Sequence, residues 1–346
     1  MSTRTILRVL LVLGATSVAL LAQESQPTSN PSEKQTFEAL VSFVAFGDWG
    51  VRDEHRPAEV AVRDAVKAVA KLKKLDLVIL LGDNFYKQGI KAPDDAMVGA
   101  RFERIYTAAD FPMPFLVTLG NHDYRGNVQA EVDIGKRDPR WRLEFPPKVA
   151  AFGGRADRPL VDFFNVDTER LCKKKAYRDE DIPKLAAALK ASKARWKIAY
   201  GHRPLFSDGA HGDNQTTIDA LQSLFDDEKV NLYLSGHDHH MQVIQDRAGT
   251  GDDKTLYCIA GSGGEVSKKG KPGKGSLFMR QENGFMLIEL AKETARVSYW
   301  NIHAERIFEA DIGRRSPSRS AMVNRTFTPP PPVPNLFDDE ETEDDG

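Results

Sequence analysis

Cysteine is scarce in this chain: 346 residues contain two, Cys172 and Cys258. Two thiols cannot complete a structural zinc site alone. Export would permit a disulfide between them, although Cys258, within the apolar run Leu256–Ala260, reads equally as a buried free thiol. No cysteine lies near residue 22, so a bacterial lipid anchor is not expected, and the acidic carboxyl end excludes a glycolipid-anchor tail. No run of Lys and Arg interleaved with aromatics points to nucleic acid as a partner. Solenoid-type repeats are absent. The apolar stretch Val9–Ala22 is shorter than the roughly 20 residues of a spanning helix, so no stable membrane span is expected once it is removed.

The length allows one large α/β domain or two small ones. Hydrophobic residues make up 41%, as in a globular protein with polar ends. The net charge of -2 is unevenly placed, with seven carboxylates between Asp338 and Asp345 and two arginines, Arg4 and Arg8, near the start. The remaining body is slightly positive, which suits an anionic substrate. Residues 1–22 have the basic start and short apolar stretch of a secretory signal, with an uncleaved membrane anchor as the alternative. A secreted or periplasmic location follows from that signal. Residues 23–38 read as a polar linker and 39–312 as the folded domain. Residues 313–346, with prolines at 329–332 before the acids, read as a disordered, solvating tail.

Within the domain, a short apolar run ends at glycine and a polar residue five times. The runs are Val41–Phe46 before Gly47-Asp48, Leu77–Leu81 before Gly82-Asp83, and Phe115–Leu119 before Gly120-Asn121. Ile198–Tyr200 precedes Gly201-His202, and Leu232–Leu234 precedes Ser235-Gly236-His237. Such runs read as buried strands. Helical spacing over 57–75, 182–195 and 217–228 alternates with them and predicts a largely parallel sheet. Ligands of such sheets bind beyond the carboxyl ends of the strands. The polar groups gathered there are Asp48, Asp83 with Tyr86, Asn121 with His122 and Asp123, His202, and His237 with His239. All are oxygen or nitrogen donors, which select hard to borderline cations such as iron, zinc or manganese. Two-metal hydrolysis needs a bridging group, and the carboxylate of Asp83, central among the motifs, can bridge.

The ordered series Gly-Asp-Trp-Gly (47–50), Gly-Asp-Asn-Phe-Tyr (82–86), Gly-Asn-His-Asp (120–123), Gly-His-Arg-Pro (201–204) and Gly-His-Asp-His (236–239) resembles the metallophosphoesterase superfamily. More narrowly it resembles the small, tartrate-resistant purple acid phosphatases, over about residues 41 to 312. The resemblance implies an α/β fold, a β-sandwich flanked by helices (αββα). Most of the superfamily has Asp-x-His at the first motif; here Asp48-Trp49-Gly50 lacks the histidine, and Tyr86 stands where purple acid phosphatases supply the missing ligand.

By the same resemblance, Asp48, Tyr86, His239 and one oxygen of Asp83 hold Fe(III). The other oxygen of Asp83, with Asn121, His202 and His237, holds a divalent ion (Fe, Zn or Mn). A metal-activated hydroxide would then hydrolyse phosphate monoesters, on small molecules or proteins. His122 is the expected proton donor to the leaving group, His211 a second histidine facing substrate, and Asp123 an orienting partner of His122 or of a ligand. Trp49 is expected to pack. A neutral-pH metallophosphoesterase or phosphodiesterase using Mn or Zn, and a non-catalytic metal-binding member, are the alternatives.

The chain departs from the family in several places. Cys172 resembles a family disulfide cysteine, but its partner position falls near Thr216, so that disulfide is doubtful here. The stretch from Cys172 to His202 is shorter than in animal relatives with a protease-cut loop, implying activity without such a cut. Arg203 and His240 replace commoner residues and are expected close to substrate, Arg203 as a phosphate contact. Asn214 and Asn324 match the glycosylation pattern, which is common by chance.

Overall fold

The apolar runs that end in glycine become strands buried on both faces. The computed structural model describes residues 37–51, 55–146, 148–245, 247 and 254–315. The expected signal, Asn324, most of the linker and all of the expected tail beyond residue 315 lie outside these residues. In it β1 (Val41–Phe46), β2 (Leu77–Leu80), β3 (Phe115–Val117) and β4 (Trp141–Arg142) run parallel, side by side. A second sheet is built from β5 (Ala150–Arg155), β6 (Arg158–Val166), β7 (Trp196–Gly201), β8 (Leu232–Ser235), β9 (Met241–Ile244), β10 (Leu256–Ala260) and β11 (Ser276–Arg280). The chain then returns to the first sheet with β12 (Gly284–Leu290), β13 (Thr294–Asn301) and β14 (Arg306–Gly313). The orders are β14-β13-β12-β1-β2-β3-β4 and β11-β9-β10-β8-β7-β6-β5.

Both sheets are mixed, which corrects the largely parallel sheet expected from strand–helix alternation. β6, β7, β8 and β10 are parallel, whereas β12, β13 and β14 join β1 antiparallel, as β9 and β11 join β10 and β5 joins β6. The connection between β12 and β13 spans residues 291–293, too short for the crossover that parallel pairing requires.

Alternate residues of β1 show why the runs are apolar throughout. Phe43 and Ala45 belong to the core shared by both sheets, together with Ile79, Phe163, Ile198 and Ile288. Val44 and Phe46 face the other way, onto α1 (Arg56–Leu72), which presents Val62, Ala65, Val66 and Val69 at helical spacing. The outer face of the second sheet is covered by α3 (Thr168–Lys173), α4 (Lys175–Ala191) and α5 (Gln215–Asp227), while α2 (Val128–Ile134) packs with the α1 cluster. Helix, sheet, sheet and helix therefore stack in the expected αββα order. α4 starts before the expected 182 and carries Pro183 inside it, not in its first turn. It fills most of the stretch from Cys172 to His202. Order continues past 312: β14 reaches Gly313, and the buried Arg315 donates through Nη1 to the Val230 carbonyl at 2.8 Å. No helix among the described residues is long and apolar enough to cross a membrane. Both cysteines are free; Cys258 is buried, and Cys172 Sγ lies 3.8 Å from Asn214 Nδ2.

Glu59, buried on α1, has Oε2 3.4 Å from Arg101 Nη1. Burial pushes its carboxyl up to about 8, against the pull of Arg101. The folded protein thus keeps a proton that the unfolded chain releases. This contribution to stability is whole below about pH 4.5 and lost as pH rises towards about 8. Glu59→Gln keeps the shape without titrating, and calorimetry from about pH 5 to 8 is expected to show a smaller fall in Tm than in the parent. An equal fall would contradict this.

Candidate metal centre

The turns after five strands bring the polar residues to one edge of the sandwich: Asp48 after β1, Asp83 after β2, Asn121 after β3, His202 after β7, and His237 and His239 after β8. They meet in two groups that share one side chain. In the first, the Tyr86 hydroxyl donates to Asp83 Oδ2 at 2.9 Å and lies 3.1 Å from Asp48 Oδ1 and 3.4 Å from His239 Nε2. In the second, His202 Nε2 lies 3.2 Å from Asn121 Oδ1, 3.5 Å from Asp83 Oδ1 and 3.1 Å from His237 Nδ1. Asp83 thus gives one oxygen to each group.

This arrangement fits a pair of ions. Donors about 2.1 Å from a first-row cation lie roughly 3 Å apart when they meet it at right angles. Asp48 and His202 are completely buried and Asp83 is 2% exposed, so the two carboxylates need compensating positive charge. Burial, then the Asp48 and Asp83 carboxylates, push the Tyr86 phenol well above its usual value. Only a cation among these donors could hold it as phenolate. Burial works against charge on His239, yet Asp48 and Glu265 raise it to about 9, a proton that a bound ion would displace. His237 shifts down through burial and its positive neighbours His202 and Arg203.

The surrounding groups fix orientation. His202 Nδ1 lies 2.9 Å from the Leu81 carbonyl, which can only accept, so the Nε2 lone pair faces the cluster. The His237 amide donates to Asp48 Oδ2 at 2.8 Å, and the His122 amide to Asp83 Oδ1 at 2.8 Å. Asp48, Asp83 and His237 hold left-handed backbone, with φ of 55°, 50° and 68°. A Cβ at Gly120 would collide with Asp83 Oδ1, so glycine lets the third strand's turn approach the shared carboxylate.

His122 lies beside the first group. Its ring centroid is 4.2 Å from that of Tyr86, its Nδ1 is 2.8 Å from the Lys87 carbonyl, and its Nε2 is 3.9 Å from Asp83 Oδ2. His211, which has no neighbouring ligand in sequence, stacks on His237 at 4.2 Å, and its Nδ1 meets Asp238 Oδ1 at 2.8 Å. Burial works against the Asp238 charge, but His211 and Ser207 hold it below the usual carboxylate range.

Asp123 takes a different part from one of those expected. It does not orient His122; its carboxylate accepts from the amides of Asn84, Phe85 and Gly120 and from Asn84 Nδ2, tying the Asp83 turn to the Asn121 turn. Asn84 Nδ2 also reaches the buried Glu131, which sequence reasoning missed. Burial, then the neighbouring carboxylates, pushes both acids above the usual carboxylate range. Trp49 packs as expected and donates to Asn84 Oδ1. Arg203 clamps Glu169 through Nε at 2.6 Å and points Nη1 at His237 Nε2, 3.0 Å away. His240, expected near substrate, is completely buried and bonded to Gln242. Glu265, also missed, faces His239 Nδ1 at 3.5 Å.

The profile of the calcineurin-like phosphoesterases matches residues 41–241. Purple acid phosphatase 7 of Arabidopsis thaliana is 30% identical over 310 residues, which cover 82% of this chain and 89% of that protein. Tartrate-resistant acid phosphatase type 5 of Sus scrofa is 29% identical over 306 residues, covering 81% and 88%. Among solved structures, GAP50, the anchor in the inner membrane complex of Plasmodium, aligns with a TM-score of 0.71 and 25% identity, covering 81% of this chain and 90% of that one.

Proposed function

This chain belongs to the calcineurin-like phosphoesterase family, and from that premise we propose that it is a purple-type acid phosphatase hydrolysing phosphate monoesters, on small molecules or proteins. The observation that carries the reading is the division of Asp83 between two donor groups, one of which contains a tyrosine hydroxyl. Asp48, Tyr86, His239 and Asp83 Oδ2 would hold Fe(III). Asp83 Oδ1, Asn121, His202 and His237 would hold a divalent ion (Fe, Zn or Mn). Bound there, the pair would supply Lewis-acid charge for a phosphate ester and make water more acidic.

The chain's own residues manage protons and orientation. The Lys87 carbonyl can only accept, so His122 keeps Nδ1 protonated and turns Nε2 towards the site. From there a protonated Nε2 can deliver its proton to the leaving oxygen. Asp238 holds His211 through Nδ1 in the same manner, and the stack on His237 sets that second ring beside the second group. A scaffold role, such as the anchor in the matched structure's name, needs no interlocking donors of this kind. The basic and apolar pattern of residues 1–22 supports a secreted or periplasmic location.

The test is metal content and a visible spectrum of the purified protein. Two metals per chain, one of them iron, with a tyrosinate charge-transfer band that Tyr86→Phe abolishes, are expected. A colourless wild type containing only Mn or Zn would favour the neutral-pH relatives instead.

A further inference from the structure

Residues 266–281 include five basic residues, Lys268, Lys269, Lys271, Lys274 and Arg280, and no acid. All five are exposed. The segment is anchored beside the metal centre at both ends. At its start, the Ser267 amide donates to the His239 carbonyl at 2.8 Å, next to the Glu265–His239 contact. Further on, the Gly273 amide donates to Asp208 Oδ2 at 2.7 Å, in the loop that carries His211. The lysines therefore stand at the rim between His239 and His211. Asp208 offers them little compensation, because Arg247 Nη2 already meets it at 2.7 Å. Lys268 reaches the Gln281 carbonyl, while Lys269, Lys271 and Lys274 make no ion pair among the described residues.

Crowded ammonium groups beside an anion site fit a polyanion, and this chain carries one. Seven carboxylates lie between Asp338 and Asp345. The last described residue is Arg315, and 22 residues separate it from Asp338. Extended, that length spans up to roughly 75 Å, against a domain about 50 Å across. Tethering gives such a segment a local concentration of order 1 mM, so even a contact with a Kd of about 1 mM would be half formed.

We propose that residues 338–345 dock on the lysine loop 268–274 and compete with anionic substrates at the mouth of the site. The competition rests on the phosphatase reading; the docking does not. The two are separated by comparing the full chain, a chain ending at residue 337, and a full chain with Lys268, Lys269, Lys271 and Lys274 changed to serine.

Zero-length carbodiimide cross-linking in low salt, mapped by mass spectrometry, is expected to join acids of 338–345 to lysines of 268–274. These links should fade near 0.5 M salt, where screening is short-ranged (roughly 4 Å). Truncation is expected to lower KM for a small aryl phosphate about two- to tenfold in low salt. Added peptide 338–346 should restore the higher KM of the truncated chain and should leave the KM of the serine variant unchanged. Absence of the mapped links overturns the docking, whatever the activity. Links with an unchanged KM on truncation overturn the competition. An unchanged KM for the small ester, with a KM for an acidic phosphopeptide that rises only in the serine variant, assigns the loop to substrate and overturns the proposal. No turnover in any of the three chains counts against the phosphatase reading alone, because cross-linking still decides the docking.

Discussion

Asp83→Asn is expected to reduce metal retention at both groups and to lower kcat/KM on an aryl phosphate by more than about 100-fold. Loss of an outer support of a metal ligand alone costs 10- to 100-fold, and Asp83 would be shared by both ions. The same change should not harm the metal-free fold. Asparagine accepts left-handed backbone readily, and position 83 has φ 50°. Its amide oxygen can keep the 2.8 Å bond from the His122 amide, and its NH2 can donate to the Tyr86 hydroxyl, which still reaches Asp48 at 3.1 Å. One of two neighbouring buried carboxylates also disappears, removing a repulsion. The metal-free variant should therefore melt at or above the metal-free parent, while added metal raises its Tm far less. Elemental analysis and paired melting curves decide it. Two tightly held metals in the variant would leave the shared-carboxylate assignment without support.

Asp123→Ala should act in the opposite sense, on the fold first. The amides of Asn84, Phe85 and Gly120 and the Asn84 side chain lose their shared acceptor inside the protein. Each buried donor left unmet costs about 1–3 kcal/mol, so a loss of more than about 3 kcal/mol is expected. For a domain of this size that lowers Tm by roughly 6 °C or more. The turns bearing Asp83 and Asn121 are held together by this carboxylate, so metal affinity should fall as well. A Tm within about 2 °C of the parent would show that the tie between the turns is dispensable.

The sequence made most of the proposed ligand positions readable because they share one local pattern: a strand, a glycine, then a donor, with Tyr86 and His239 a few residues further on. Strand ends converge at one edge of a sandwich, so order along the chain became proximity in space. The supporting groups lack such a signature. Glu131 reaches Asn84 from α2, Glu169 meets Arg203 from α3, and Glu265 meets His239 from a loop beyond β10. These pairings exist only after the layers pack. His211 was matched by family likeness, but its stack on His237 arises from the fold of the 206–213 loop. The mixed character of the first sheet was missed because its antiparallel partners, β12 to β14, lie after the motifs and supply no donor to the site.

The left-handed turns at Asp48, Asp83 and His237 divide the centre into parts that can and cannot be re-engineered cheaply. At these three positions the main chain chooses first: a bulkier or β-branched substitute incurs about 1–2 kcal/mol before any bond to an ion is considered. Asn121, His202 and His239 have no such backbone demand. Ion preference should therefore drift, in evolution or by design, mainly through these latter three, while the shared carboxylate and its strained neighbours stay fixed as the frame.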